Sequence, residues 1–104
     1  MRTTISARHC EITDTLRERA AAIGERLAHL SPHALEATVV FDSAPEGAMV
    51  EVRLRARGKK VLIGQATAID HMTALDRAEE KLRPQLVRVS ATRVAARRTP
   101  TKSP

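Results

Sequence analysis

The stretch AMVEVRLRAR, residues 48–57, alternates apolar and polar side chains along its whole length. A period of two is typical of a β-strand that lays one face against a core and leaves the other in solvent. The stretch therefore predicts a strand with an aliphatic inner face. Its outer face carries Arg53, Arg55 and Arg57, so three guanidinium groups are expected on the open side of a sheet.

Strand and turn patterns continue on both sides of this stretch. Residues 58–60, GKK, predict a tight basic turn, and residues 61–69, VLIGQATAI, predict a further strand with small residues on the side where a helix can pack closely. Upstream, residues 35–42, LEATVVFD, alternate in the same way. The turn formers DSAPEG, residues 42–47, separate that strand from the central one.

Two helices are predicted by apolar residues that recur every three or four positions. Thr13 is suited to be the N-cap of the first helix, and the pair Ser31-Pro32 ends it. Asp70 begins the second helix, in which Pro84 lies near the outer face and favours a bend over a break. The apolar positions are Ile12, Leu16, Ala20, Ile23, Leu27 and Leu30 in the first helix and Met72, Leu75, Ala78, Leu82, Leu86 and Val89 in the second.

The order of the predicted elements indicates the fold class. Residues 1–7 alternate as a short first strand, which gives the order β-α-β-β-β-α. We expect an α+β fold in which both helices pack on one face of a four-stranded sheet. Residues 1–95 form the predicted domain. Residues 96–104 have no apolar period and are predicted to be a disordered basic tail.

The charge of the chain is unevenly distributed. The formal net charge is +6, and residues 81–104 contain seven Lys or Arg and no Asp or Glu. Such asymmetry predicts a polyanionic partner, either nucleic acid or an anionic membrane, although a basic tail that only aids solubility is an alternative. Phe41 is the only Phe, and the chain has no Tyr or Trp. Because base stacking requires aromatic side chains, nucleic acid would be bound through phosphates and shape.

Several classes of function are disfavoured. The single cysteine, Cys10, cannot form an intramolecular disulfide and suits the cytoplasm, and no run is apolar enough to span a membrane. His29 and His33 are separated by the helix stop, so no metal site is expected. No nucleophile motif or phosphate-binding loop is present. We therefore expect no enzyme activity, no cofactor, no metal and no small-molecule substrate.

A second group of basic residues lies on the last helix. At 100° per residue, Arg77, Lys81 and Arg88 fall within about 40° of one another, and Arg83 is assigned to the same half of the helix. These residues are candidates for contacts to phosphates, and a charged face that is simply solvated is the alternative. For the arginines of the central strand, the alternative is a face that charge protects against aggregation.

Four short segments resemble the hibernation promoting factors, the family of ribosome-associated translation inhibitors once described as sigma-54 modulation proteins. Residues 5–18, ISARHCEITDTLRE, resemble the opening of these proteins, and residues 35–37, LEA, resemble their second strand. Residues 70–76, DHMTALD, resemble the entry to their last helix, and residues 81–86, KLRPQL, a motif within it. The segments occur in order and at compatible spacing over about residues 1–90.

The resemblance implies a fold like that of double-stranded RNA-binding domains. It also implies binding to rRNA in the decoding region of the small ribosomal subunit, across the tRNA and mRNA sites, with inhibition of translation in stationary phase. Motif-matched candidates for rRNA contact are Arg17, Arg26 and Lys81. Four positions depart from the family pattern. Ile23 stands where a basic residue is common and Gly24 where an apolar one is common, Pro84 stands where the family has Arg, and Met72 replaces the usual aromatic residue. The length resembles the short form of the family.

Two alternatives stay open at this point. The chain could be a general binder of structured RNA, or a protein-interaction module that regulates transcription through a protein partner. Ionic strength separates these classes of function. Binding to RNA weakens steeply as salt is added, because each phosphate contact releases counterions, whereas apolar docking to a protein does not.

Overall fold

A computed structural model describes residues 2–31, 33–58 and 60–102, with side chains described as far as residue 86. The strands are β1 (Arg2–Ala7), β2 (Ala34–Ala44), β3 (Gly47–Ala56) and β4 (Lys60–Ala68), and the helices are α1 (Asp14–Leu30) and α2 (His71–Lys102). The predicted order β-α-β-β-β-α is confirmed. The strands and α1 lie close to the ranges that their sequence patterns predicted, whereas α2 continues into the residues predicted to be a tail.

The four strands form one mixed sheet in the order β1-β2-β3-β4. β1 runs parallel to β2, and the other neighbours are antiparallel. The inner face of the sheet and both helices share one hydrophobic core, as predicted. Its largest fully buried side chains are Phe41, Ile23, Leu27, Leu54, Leu75, Leu82, Val39, Val50 and Val52.

Gly64 lets α2 lie directly on β4. A Cβ atom at this position would overlap the carbonyl oxygen of Ala78 and lie 3.1 Å from the amide nitrogen of Leu82. Both atoms belong to the backbone of α2, so they cannot move without displacing the helix. The small residues that the sequence placed on this face of β4 therefore have the predicted role, with Gly64 at the closest approach.

Both helices begin at side-chain caps, of which Thr13 was predicted as a cap and Asp70 as the start of its helix. The hydroxyl of Thr13 accepts a hydrogen bond from the backbone N–H of Leu16 at 3.1 Å. At the start of α2, Asp70 Oδ1 accepts from the backbone N–H of Thr73 at 2.7 Å. This hydrogen bond, followed by one from the Thr73 hydroxyl, lowers the pKa of Asp70 below its ordinary value.

We expect the cap at Asp70 to make stability depend on pH. Because the folded-state pKa is lowered, the contribution of the carboxylate is fully present above about pH 4 and is lost as the pH falls through the folded value. Asp70→Asn keeps an amide that can cap the helix but has no charge to lose. The stability gap between the parent and Asp70→Asn, measured by urea unfolding, should therefore close between pH 6 and pH 2. A gap that stayed constant would show that the charge has no role.

Two apolar residues assigned to the core, Leu35 and Leu30, are exposed instead, and a third apolar residue, Ile69, is exposed beyond the sheet. Leu35 is 43% exposed because the register of β2 shifts between Ala34 and Glu36, and this irregularity turns the smaller Ala34 toward the core. Leu30, the last residue of α1, is 46% exposed. Ile69 lies beyond the end of β4 and is 92% exposed, so β4 is one residue shorter at this end than predicted.

The two predicted helix ends have different outcomes. α1 ends at Leu30, and the Ser31 N–H donates to the Leu27 carbonyl, so the predicted stop is confirmed, although Pro32 lies outside the described residues. α2 passes through Pro84 without a break, also as predicted. It continues to Lys102.

α2 extends beyond the end of the sheet on which it packs. Gln85 contacts Ile63, which is three residues from the start of β4, and about 10 Å of strand corresponds to about seven residues of helix. The helix therefore has no strand under it beyond about residue 92. Helices without tertiary contacts are marginal in water, so disorder of residues 96–104 in the free protein stays a prediction, which NMR order parameters test. The last two of these residues lie outside the described residues.

Candidate nucleic-acid interface

α2 runs along the outer edge of β4 and is fastened to it by two side chains. Lys81 Nζ donates to the carbonyl oxygen of Gln65 at 2.8 Å. One turn later, Gln85 Nε2 donates to the carbonyl oxygen of Ile63 at 2.7 Å. The helix residue number rises as the strand residue number falls, so α2 is antiparallel to β4. One flank of α2 and the free edge of the sheet therefore form a continuous surface.

Arg77 and Lys81 are neighbours on this flank, one turn apart, and both are exposed. Within the described residues, the Arg77 guanidinium makes no hydrogen bond or ion pair. The Lys81 ammonium has three N–H donors, and the bond to Gln65 uses one of them. Both side chains therefore retain donors that can reach a phosphate. Position 88 lies seven residues after Lys81 and so on the same flank, although the side chain of Arg88 lies outside those described.

Lys60 joins this surface from the sheet. It lies two residues before Leu62 and four before Gly64, so all three are on the helix side of β4. Lys60 is exposed and lies where β4 begins, next to the path of α2. The sequence grouped Lys60 with the arginines of the central strand, but the alternation of β4 places it on the helix side of the sheet instead. The basic strip is defined here as Lys60, Arg77, Lys81 and position 88.

Arg83 is not part of the basic strip, so its assignment to the same half of the helix as Lys81 is wrong. It lies seven residues after Asp76, and Asp76 Oδ1 accepts from Arg19 Nη2 of α1 at 2.9 Å. Arg83 therefore lies on the side of α2 that faces α1, about 160° around the helix from Lys81. Its side chain is exposed. A contact from Arg83 to RNA stays a prediction, on a different surface.

Arg26 is held by a carboxylate. Its Nε and Nη2 atoms donate to the two carboxylate oxygens of Glu79 at 3.1 and 2.9 Å, and Glu79 is only 7% exposed. The pair joins α1 to α2 across the core surface, so part of the Arg26 guanidinium has a structural role. Its side chain is still 42% exposed and can reach an anion. Arg17 is exposed, has no such partner within the described residues, and lies on the flank of α1 away from α2.

We expect Glu79→Gln to destabilise the protein by about 1–2 kcal/mol, because it removes one charge from a bidentate, partly buried pair. Urea unfolding measures the change. Arg19→Gln, which affects the exposed pair with Asp76, is the matched control and should cost less than about 1 kcal/mol. Equal effects of the two changes would contradict the structural role given to Glu79.

The arginines on the open face of the sheet are partnered within the sheet. Arg53 Nη2 lies 3.3 Å from Glu51 Oε1, and Arg55 Nε lies 3.9 Å from Glu36 Oε1. The anionic groups that three close guanidiniums require are thus provided in part by the protein itself. Arg57 lies just past the end of β3, in the turn, and is exposed. Because Arg53 and Arg55 are paired with carboxylates of the sheet, we favour the interpretation that they protect this face against aggregation.

Two other kinds of site find no support in the described residues. No group of three or more His, Cys, Asp or Glu side chains there is arranged to hold a metal ion. Neither helix, over the same residues, contains a stretch both long and apolar enough to cross a bilayer. Among the surfaces described, the basic strip is therefore the candidate binding site.

Residues 3–93 match the family model described as sigma 54 modulation protein / S30EA ribosomal protein. The chain belongs to this family. The match includes both helices as far as the sheet supports them, and all the candidate residues from Arg17 to Arg88. The resemblance that the four short segments indicated is thus confirmed.

Solved structures agree with the family. A ribosomal subunit interface protein from Coxiella burnetii matches with a TM-score of 0.73 and 19% identity, over 88% of this chain and 99% of its own, which shows the shared fold. The N-terminal domain of Protein Y from Thermus thermophilus matches with a TM-score of 0.71 and 27% identity, over 83% of this chain and 94% of its own. No curated protein sequence matches the chain.

One departure from the family pattern has a structural explanation. Ile23, which stands where a basic residue is common, is fully buried between α1 and the sheet. This position belongs to the core, as its helical spacing predicted, and provides no contact to an anion.

Proposed function

We propose that this protein binds the ribosome and inhibits translation as a hibernation factor. It contacts rRNA in the decoding region of the small subunit and excludes tRNA and mRNA by occupying their sites. The observation that carries the proposal is the family match over residues 3–93, on a domain where Lys60, Arg77 and Lys81 are exposed and have no acidic partner among the described side chains. The structural relatives are a ribosomal subunit interface protein and the N-terminal domain of Protein Y, which supports the ribosome as the target.

The basic strip supports contact with folded rRNA rather than with single-stranded RNA. Arg77 and Lys81 present N–H donors one helical turn apart, a spacing that suits phosphates along a backbone. Phe41, the only Phe, Tyr or Trp of the chain, is fully buried and edge-to-face with His71 at 5.7 Å, so it cannot stack on a base. A surface that reads phosphates and shape requires an RNA whose own folding fixes the phosphate positions.

The test is sedimentation of the purified protein with isolated small subunits, large subunits and a structured RNA unrelated to the ribosome. We expect co-sedimentation with the small subunit, reduced by excess tRNA and weakened steeply between 50 and about 200 mM salt. Equal binding to the unrelated RNA would favour a general RNA-binding protein. Binding that did not change with salt would instead favour a protein-interaction module.

A further inference from the structure

The free edge of β4 is closed by side chains rather than by a strand. Ile63 and Gln65 turn their backbone groups away from β3, and their carbonyl oxygens accept the bonds from Gln85 and Lys81. Unpaired edge groups of this kind are the template on which a second strand adds. Lys81 is exposed and Gln85 is half-buried, and neither side chain belongs to the hydrophobic core, so both can be displaced without disturbing it.

The opposite edge of the sheet is protected in another way. If β1 paired antiparallel with a second β1 about Ile5, Arg2 would oppose Arg8 at both ends of the ladder. Like charges directly opposite each other disfavour the pairing of strands. In this register, β1 therefore resists pairing with a second β1.

The sequence of β4 has no such protection. If β4 paired with a second β4 about Ile63, Lys60 would oppose Ala66, and Val61 would oppose Gln65. No like charges meet, and each Ile63 would meet its counterpart. Val61 and Ile63 are 48% and 42% exposed on the open face, so the pairing would also cover apolar surface.

We propose that β4 is a latent pairing edge for a second copy of this chain, and that Lys81 and Gln85 keep it closed. The partner is a second copy because antiparallel self-pairing about Ile63 is symmetric, opposes no charges and covers the same aliphatic residues on both chains. The hydrogen bonds from α2 occupy the two carbonyls that the added strand would need. The inference does not depend on the proposed ribosome contact.

The test is the double variant Lys81→Met/Gln85→Met, which keeps unbranched side chains of good helix propensity but removes both donors. We expect its self-association, measured by sedimentation equilibrium, to be at least about tenfold tighter than that of the parent. Arg77→Met/Arg83→Met is the matched control, because it removes more charge from α2 without touching the edge, and it should associate like the parent. Circular dichroism establishes that both variants are folded.

A third change identifies the interface. Ile63→Lys, added to the Lys81→Met/Gln85→Met variant, places two lysines opposite each other and should restore the parental weak association. A double variant that associates no more tightly than the parent would overturn the proposal, as would a dimer that persists with Ile63→Lys. If the double variant is not folded, the single variant Gln85→Met gives the same test with a smaller expected gain.

Discussion

Arg77→Gln/Arg88→Gln should weaken binding to the small ribosomal subunit by about a hundredfold, because each change removes a charged contact to phosphate. The slope of log K against log salt should fall by about 2 at the same time. Fluorescence-based titration of labelled protein with subunits at several salt concentrations measures both quantities. Inhibition of cell-free translation should weaken in parallel. Lys81 is left in place, so that the β4 edge stays closed.

Arg53→Gln/Arg55→Gln is the matched control, since it removes the same charge from the open face of the sheet. We expect less than about a threefold change in affinity, because these side chains are already paired with Glu51 and Glu36. Both double variants should unfold at nearly the parental urea concentration. If only the open-face variant lost binding, the protein would dock through its sheet, and the assignment of the basic strip would be wrong.

Gly64→Ala should destabilise the protein by about 2–3 kcal/mol, because the added Cβ meets backbone atoms of α2 that can yield only if the whole helix moves. This loss of folding stability is large for a single added methyl group. It is also opposite in sign to the usual effect, because Ala is ordinarily more stable than Gly in a strand. Urea unfolding monitored by circular dichroism measures it. An unchanged midpoint would show that α2 does not rest on β4 at this position.

Gly58→Asn is the control for the loss of a glycine as such. Gly58 has φ +81° and nothing within 4 Å of the position of a Cβ, and Asn tolerates this backbone conformation better than other residues do. We expect a change within about 1 kcal/mol. If Gly58→Asn destabilised the protein more than Gly64→Ala, the backbone conformation of the turn would be a tighter constraint than the contact between β4 and α2.

Local sequence was sufficient for the elements and their inner faces. The alternation along residues 48–57 identified β3 and the side on which Val50, Val52 and Leu54 are buried, because strand geometry alone fixes that parity. Thr13 and Asp70 identified the helix starts, because a cap bonds to a backbone N–H only three residues away. Family resemblance likewise depended on short local segments.

Tertiary structure alone decided which polar side chains meet. The period of a helix shows which face is buried, but not which neighbour lies beside each flank. Arg26 and Glu79 are 53 residues apart in the chain, and Lys81 reaches a strand 16 residues away, so neither contact has a local signature. Arg83 was misplaced against helix geometry, which alone puts it about 160° from Lys81. Only the structure shows that α1 lies on that side of α2. The period of apolar residues in the sequence determines which face of each element is buried. The rotation and packing of whole elements determine which charged side chains are neutralised and which are free to bind RNA.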